Sequence, residues 1–385
     1  MNIIIVCYPT YGGSGILATE LGKALALKEH NVHFVTYEQP VRLTSYSARL
    51  FYHEVRVPPY PLFNFPPYEI ALASKLVEII SHHKIDIIHV HYAIPHATAA
   101  YIAQQIILQE KKIFIPFVTT LHGTDITIVG KDKSYESVVN FSINNSTVIT
   151  AVSENLKTET LNYFRINKDI KVIYNFVDLE RFKMSCCPDL KKTISLNNEV
   201  IICHASNFRK VKRIKDIILI FAQVLTQTPA ILLMVGDGPE RDAAEELSYS
   251  LGINHAIKFL GKQEDIENIF SLSDIFLLPS EYESFGLSAL EAMASHNAII
   301  TSNSGGLPEI NIHGETGYLV DVGEIDLFAK HIIHLIKNPS LLAKMKSNAY
   351  QQALKFNQKK IIPQYEELYL DLISKQYTAA ENKIE

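Results

Sequence analysis

The feature that most constrains the fold is an alternation of short apolar strands and helical segments, which begins at the first residues and begins again near mid-chain. A strand over residues 2–7, a glycine turn at 12–15 and a helix over 16–28 form its first step. The pattern restarts with a strand at 200–204 and a helix at 215–226. Strands joined by crossover helices form parallel sheets, so the sequence predicts two doubly wound α/β domains.

The further predicted strands lie at 32–36, 85–91, 114–121, 147–152, 172–173, 230–235, 257–260, 275–278 and 298–301. The 385 residues, 47% of them hydrophobic, are enough for two cores. We place the domains at 1–175 and 176–357 and expect a C-terminal helical segment, 358–385, to pack back on the first domain. Because open α/β sheets bind ligands at the carboxyl ends of their strands, the two domains should face each other across a cleft.

Composition excludes several classes of protein. The 36 basic and 41 acidic residues give a net charge of -5, which provides no general attraction to nucleic acid or anionic lipid. The apolar runs are far shorter than the roughly 20 residues of a membrane-spanning helix, and the first residues lack the zones of a secretory signal. We therefore expect a cytoplasmic protein without stable membrane association. The oligomeric state stays open, and a homodimer is compatible with the sequence.

The four cysteines fit a reducing compartment. Cys7 and Cys203 lie in strand-like runs, and the adjacent Cys186 and Cys187 have no CxxC partner. We interpret all four as structural or incidental.

Two glutamates eight positions apart flank the start of a predicted helix. Glu283 belongs to the loop that follows a strand, and Glu291 lies inside the helix, so they would contact different parts of one extended ligand. The backbone amides of Phe285, Gly286 and Leu287 form a helix amino terminus suited to phosphate. The alternative is an amphipathic helix with solvated glutamates.

A cluster of four cations, Arg209, Lys210, Lys212 and Arg213, follows the first strand of the second half. An exposed charge run is often only a solvated face, but the carboxyl end of a sheet is also where a phosphate would bind. The glycine loop at 12–15 lacks the full G-x-G-x-x-G spacing, and no acidic residue ends the second strand. Both observations disfavour a dehydrogenase.

Three histidines, His89, His91 and His96, lie on or just after a predicted strand, and alternating strand residues share a face. A metal site is disfavoured because no nearby carboxylate or cysteine completes a ligand set. Hydrogen bonding to substrates is the preferred interpretation, with a core position as the alternative for His89.

The segment with Glu283 and Glu291 resembles the E-x7-E motif of the family-four GT-B retaining glycosyltransferases. The resemblance extends to the glycine loop at 12–15, a histidine motif at 122–125 and a late loop at 305–309. It implies the GT-B fold, with two Rossmann-like doubly wound domains facing across a cleft. The first domain would lie on the acceptor side and the second would bind the nucleotide sugar.

The same resemblance implies a role for each motif residue. Glu283 would contact the transferred sugar and Glu291 the ribose hydroxyls, while Arg209 and Lys212 would hold the leaving diphosphate. His122 would support the sugar or the acceptor. The other donor-binding residues would be Gly13, Gly15, Phe285, Gly286 and Leu287.

Within the family, the segments at 66–75, 89–96, 119–127 and 207–213 resemble the members that transfer N-acetylglucosamine from UDP-N-acetylglucosamine (UDP-GlcNAc) to the hydroxyl of L-malate in bacillithiol biosynthesis. The acceptor-binding residues implied by this resemblance are Ser14, Tyr92, Thr119 and Asn140. The resemblance leads us to expect an arginine at position 140, and the lost charge would weaken binding of a dicarboxylate.

Retention of configuration allows two mechanisms. Glu283 could act as a nucleophile, but a residue that holds sugar hydroxyls is badly placed for backside attack. A front-face reaction is preferred, in which Arg209, Lys212 and the amides near Gly286 stabilise the leaving diphosphate without a metal or cofactor. The other functions left open are a family-four enzyme with a lipid or saccharide acceptor and a non-catalytic nucleotide-sugar-binding module.

Overall fold

The computed structural model describes residues 1–44, 47–57, 67–128, 132–182 and 188–381. Cys186 and Cys187, the first residue of the segment 66–75 and the last four residues of the predicted C-terminal segment lie outside these residues. The chain divides into two compact units, which we call the first unit (Met1–Tyr174 with Lys359–Glu385) and the second unit (Asn175–Gln358).

The first unit contains a parallel sheet of seven strands among the described residues, in the order β3-β2-β1-β4-β5-β6-β7. The strands are β1 (Asn2–Val6), β2 (Asn31–Thr36), β3 (Leu50–Glu54), β4 (Ile87–His91), β5 (Phe117–Leu121), β6 (Val148–Ala151) and β7 (Ile170–Val172). The strand order reverses between β1 and β4. At such a switch point the loops after the two strands diverge and leave a crevice for ligands.

Helices cover both faces of this sheet: α1 (Gly13–Leu27), α2 (Tyr68–His82), α3 (Thr98–Lys111), α4 (Lys133–Asn145) and α5 (Glu154–Tyr163). A last helix, Gln358–Glu381, also packs here. Its Tyr365 and Tyr369 are completely buried, and its Glu366 pairs with Lys28 and His30. These contacts attach the end of the chain to the first unit.

The second unit repeats the design with six parallel strands among the described residues, in the order β10-β9-β8-β11-β12-β13. They are β8 (Val200–Ala205), β9 (Ala230–Val235), β10 (Ile257–Gly261), β11 (Ile275–Leu278), β12 (Ala298–Ser302) and β13 (Gly317–Val320). The helices are α6 (Pro188–Ile194), α7 (Ile214–Leu225), α8 (Arg241–Ser250), α9 (Ile266–Leu272), α10 (Leu287–Ala294), α11 (Leu307–Ile310), α12 (Ile325–Lys337) and α13 (Pro339–Ala353), after which the last helix is α14. The switch point lies between β8 and β11.

The two Rossmann-like α/β domains predicted from the strand and helix alternation are confirmed. Every predicted strand is present within three residues of its predicted ends, and the largest difference is at β5, which begins at Phe117 instead of residue 114. Pro116 precedes it and has no N–H to donate to a neighbouring strand. The prediction missed β3 and β13.

Two free thiols in the described residues are completely buried, Cys7 directly after β1 and Cys203 within β8. Burial raises the pKa of each thiol to about 12. Within the described residues, no helix combines the length and the apolar character needed to cross a membrane.

Candidate active site

The switch point of the second unit brings Lys212 and Glu283 together. Lys212 Nζ lies 2.6 Å from Glu283 Oε1, and the Ser280 hydroxyl donates to the same oxygen over 2.8 Å. The loops that carry them follow β8 and β11 and are joined by a backbone bond from Glu281 N–H to Val211 O, 2.8 Å long. The loops that follow the two strands at the switch point therefore bring an ammonium group and a carboxylate into direct hydrogen-bonding contact.

The other three cations of this loop have different environments. Arg213 has a left-handed backbone (φ 52°), and its guanidinium donates to Asp216. Arg209 and Lys210 are exposed, and neither has an ion pair among the described residues. The structure thus places Lys212 on Glu283, turns Arg213 toward α7 and leaves Arg209 accessible to an anionic ligand.

The late loop at 305–309 holds the backbone of Glu283 in place. Gly306 N–H donates to Glu283 O over 2.8 Å. Gly305 has a φ of 59°, and a Cβ at this position would lie 2.0 Å from the same carbonyl oxygen. Only glycine allows this approach, so the loop has a role that its sequence motif did not reveal. The sequence analysis also did not identify Ser280, whose hydroxyl donates to the Glu283 carboxylate, as part of the site.

The predicted donor-binding residues of the second unit are contiguous at the start of α10. Gly286 adopts φ 93° just before the helix, and Leu287 is its first residue. Phe285 is buried with its ring edge-to-face on Phe356, at a centroid distance of 5.6 Å. Glu291 lies one turn further on and is 6% exposed. This packing of Phe285 helps to position the first backbone amides of α10.

In the first unit, the switch point joins Ser14 and Tyr92. Their hydroxyls lie 2.7 Å apart, Ser14 in the first turn of α1 and Tyr92 directly after β4. Gly13 begins the helix, and Gly15 packs on the preceding loop, where a Cβ would lie 2.3 Å from Tyr8 O. The predicted glycine loop and the predicted acceptor residues thus belong to one cluster.

His122 extends this cluster from the end of β5. Its ring centroid is 5.3 Å from that of Tyr92, and its Nε2 lies 2.7 Å from His91 Nδ1. Asp125 connects the loops that carry these side chains. Its carboxylate accepts N–H bonds from Ala93 at 2.9 Å and from Gly123 at 3.0 Å, with a longer one from His122 at 3.4 Å. The sequence analysis expected His91 to hydrogen-bond to substrates and placed Asp125 in the histidine motif, but it predicted neither the contact of His91 with His122 nor the link that Asp125 makes between the two loops.

Burial dominates the electrostatics of this cluster. It lowers the pKa of His122 to about 3, that of His96 to about 4, and that of His91 well below its ordinary value. Burial also raises the pKa of Asp125 to about 6, although the three backbone N–H groups favour its ionised form. At neutral pH the histidines are therefore neutral and Asp125 is charged.

The structure does not bring Thr119 and Asn140 to this cluster. Thr119 is completely buried, and its hydroxyl lies 2.7 Å from Ser146 Oγ. It belongs to the face of β5 opposite to Thr120, since side chains alternate along a strand. Asn140 donates to Glu136 O and accepts the Arg165 N–H, so its amide serves local backbone groups.

His89 is a core residue with both ring nitrogens hydrogen-bonded, which agrees with the alternative interpretation given in the sequence analysis. It is completely buried, with Nδ1 2.6 Å from the Tyr369 hydroxyl and Nε2 2.7 Å from Thr120 Oγ1. In the described part of the chain, no three His, Cys, Asp or Glu side chains are arranged to hold a metal ion.

Comparisons with known proteins agree with this architecture. Residues 11–181 match the family model described as Glycosyltransferase Family 4, and residues 189–352 match Glycosyl transferases group 1. The chain is 44% identical over 375 residues to the N-acetyl-alpha-D-glucosaminyl L-malate synthase of Bacillus anthracis, covering 97% of each protein.

Two solved structures have the same fold. The sucrose-phosphate synthase of Thermosynechococcus elongatus superimposes with a TM-score of 0.80 at 22% identity, covering 97% of this chain and 99% of that one. Anabaena HepE, in complex with UDP and glucose, gives 0.81 at 23% identity, covering 96% and 99%. The chain therefore belongs to the family-four glycosyltransferases and has their GT-B type of fold.

Proposed function

We propose that this glycosyltransferase moves N-acetylglucosamine from UDP-GlcNAc to the hydroxyl of L-malate with retention of the α configuration, the first step of bacillithiol biosynthesis. The observation that carries the proposal is the Lys212–Glu283 pair, supported by the full-length likeness to the L-malate synthase of Bacillus anthracis. The pair supplies a cation for a leaving phosphate and a carboxylate for sugar hydroxyls at the same position of the fold.

The donor would bind to the second unit. Arg209 and Lys212 would contact the diphosphate together with the first amides of α10, because a helix amino terminus and two cations stabilise a polyanion. Glu283 would accept hydrogen bonds from the sugar, and Glu291 would accept them from the ribose. The guanidinium of Arg209 is exposed and has no ion pair within the described part of the chain, which supports its part in this arrangement.

A front-face reaction is supported by the position of Glu283. Oε1 of this carboxylate already accepts hydrogen bonds from Lys212 and Ser280, which lowers its reactivity as a nucleophile. In the proposed step the bond between C1 of the sugar and the diphosphate oxygen breaks as the malate hydroxyl bonds to C1. The hydroxyl proton passes to the departing diphosphate oxygen. Lys212 and Arg209 stabilise the charge there, and no metal ion or cofactor is required.

The acceptor would bind to the first unit. Ser14 and Tyr92 offer paired hydroxyls, and His122 adds a neutral imidazole beside them. These groups suit an acceptor rich in oxygen atoms. The sequence analysis also named Thr119 and Asn140, but their present hydrogen bonds give them no part in this proposal.

The test is release of UDP from UDP-GlcNAc by the purified protein, with and without L-malate, in the presence of a metal chelator. Release that depends on malate, with an α-linked product by proton NMR, is the expected result. Release only with other acceptors would refute the malate assignment, and loss of release on chelation would refute metal independence. A β-linked product would refute retention.

A further inference from the structure

Two adjacent strands place His91 and His122 in direct contact. His91 is the last residue of β4 and is completely buried, while His122 directly follows β5 and is 9% exposed. Their rings are 5.0 Å apart between centroids, and a single hydrogen bond of 2.7 Å joins His91 Nδ1 to His122 Nε2. The contact requires one of these nitrogens to donate and the other to accept.

A neutral pair can satisfy this contact in two ways. Burial keeps both rings neutral at physiological pH, and a neutral imidazole carries a single N–H. Either His91 Nδ1–H donates, which leaves the hydrogen of His122 on Nδ1, or His122 Nε2–H donates, which puts the hydrogen of His91 on Nε2. The two arrangements give His122 Nδ1 opposite hydrogen-bonding characters.

The surroundings of His91 decide between them. His91 Nε2 is buried and has no hydrogen-bond partner among the described residues. A hydrogen on this atom would be a buried N–H without an acceptor, and such unsatisfied buried donors are rare in folded proteins. The hydrogen of His91 therefore lies on Nδ1 and points at His122 Nε2. His122 in turn carries its hydrogen on Nδ1.

The backbone around both rings is also fixed. His96 Nδ1–H donates to the His91 carbonyl oxygen over 2.5 Å, and Asp125 accepts the Gly123 N–H beside His122. In the described structure His122 Nδ1 has no hydrogen-bond partner, and the ring lies beside Tyr92 of the acceptor-side cluster. Nδ1 is thus the ring atom left to meet a ligand.

We propose that His91 is a positioning residue, which fixes His122 as an Nδ1–H donor toward an oxygen atom of the bound substrates. The assignment of the ligand rests on the function proposed above, whereas the tautomer rests on the His91–His122 contact alone. A donor at this position favours an acceptor oxygen, such as a sugar hydroxyl or a carboxylate, over a hydroxyl that must itself donate.

The tautomer can be observed directly in the full-length enzyme with ring-15N-labelled histidine, because protonated and bare ring nitrogens differ widely in chemical shift. A His122→Asn variant assigns the resonances by their loss. We expect His122 Nδ1 protonated and Nε2 bare, with the Nδ1 resonance moving when UDP-GlcNAc and L-malate are added. A His122 ring protonated at Nε2 would overturn the proposal, whichever acceptor the enzyme uses.

Kinetics provide a second test that separates positioning from general stability. Asparagine and leucine have nearly the same shape, but only asparagine can donate to His122 Nε2. We expect His91→Leu to lower kcat/KM about tenfold and His91→Asn to stay within about threefold of wild type. In a His122→Leu background, neither change should lower kcat/KM further. Equal losses in both backgrounds would contradict the proposal, and an inactive wild type would contradict the proposed function instead.

Discussion

Lys212 and Glu283 form an ion pair of 2.6 Å in which both side chains are largely withdrawn from solvent, 18% and 13% exposed. Such a pair is screened less by water and salt than one at the surface. The ammonium group of Lys212 is held at the end of the sheet by the carboxylate that would bind the sugar. A sugar-nucleotide substrate that binds here would therefore contact both side chains.

Lys212→Ala should therefore lower kcat by about 10²–10³-fold while changing the Kd of UDP-GlcNAc only a few fold, because a cation that stabilises the leaving group acts mainly in the transition state. Steady-state kinetics and calorimetric titration measure the two quantities. Lys210→Ala is the control, since Lys210 is an exposed neighbour in the same loop. Equal losses of kcat and affinity at Lys212 would contradict a transition-state role.

Gly305→Ala should displace the Glu283 backbone, because the new Cβ would lie 2.0 Å from its carbonyl oxygen. Gly314→Ala provides the control: its φ of 79° is equally left-handed, but nothing lies within 4 Å of a Cβ there. The control should cost about 1–2 kcal/mol of unfolding free energy with activity kept. Gly305→Ala should cost more and lower kcat/KM on the order of 10²-fold. Similar results for both variants in urea titrations and kinetics would show that the loop does not support Glu283.

Asp125→Asn should weaken the connection between the loops of Tyr92 and His122. Both carboxylate oxygens of Asp125 accept N–H bonds, so an amide NH₂ would oppose another donor. The expected loss of unfolding free energy is about 1.5–3 kcal/mol, and kcat/KM should fall as well. Asp132→Asn should change neither quantity measurably, because Asp132 is an exposed helix cap where asparagine serves equally. Wild-type activity in Asp125→Asn would exclude a positioning role for Asp125.

The first unit should lose stability in mild acid before the second. His89, His96 and His122 have pKa values lowered from 6.5 to about 3, 4 and 3, and all belong to the first unit. Between about pH 6.5 and 4 the unfolded chain binds protons that the folded chain excludes, so the unfolding free energy falls as the pH falls. Each such group contributes up to about 1.4 kcal/mol per pH unit. Asp125 has the opposite effect. Its pKa is raised to about 6, so below that pH the folded chain binds one proton that the unfolded chain does not, which offsets about one of the histidines.

This difference is measured as the urea midpoint of each unit at pH 7.5 and at pH 5.5, with hydrogen exchange used to follow the two units separately. In the second unit burial lowers the pKa of His204 to about 4, and it also lowers the pKa values of the half-buried His296 and His331. His89→Gln should flatten the pH dependence of the first unit, whereas His82→Gln, at an exposed helix end, should leave it unchanged. Parallel shifts of the two units would contradict the prediction.

The fold was predictable because the central strands carry continuous apolar runs. Ile3, Ile4 and Ile5 of β1 are completely buried, as both faces of a doubly wound sheet require. The strand β3 was missed because it lies at the edge of the sheet, where Phe51 and Tyr52 are partly exposed and the pattern is interrupted. Edge strands bury less, so their sequences are less constrained.

The candidate site was predictable where a motif lies within one loop, as for Glu283 and Glu291. It was not predictable where two strands must be aligned. His91 stands opposite Thr120 in the sheet, and this register brings it to His122. Thr119 was chosen for the acceptor although its side chain lies on the other face of β5, because adjacent threonines on a strand look alike until the faces are known. The alternating histidines were visible in the sequence, but their partners were not.

The two buried thiols give the folded protein a particular chemical inertness. Oxidants and alkylating reagents attack the thiolate, and Cys7 and Cys203 hold almost none of it because burial raises each pKa to about 12. Cys203 lies on a central strand of the second sheet and Cys7 directly follows a central strand of the first, so a reagent reaches each thiol only when that part of the structure opens. With Cys186 and Cys187 replaced by serine, the labelling rates of Cys7 and Cys203 would time the opening of the two halves of the molecule separately.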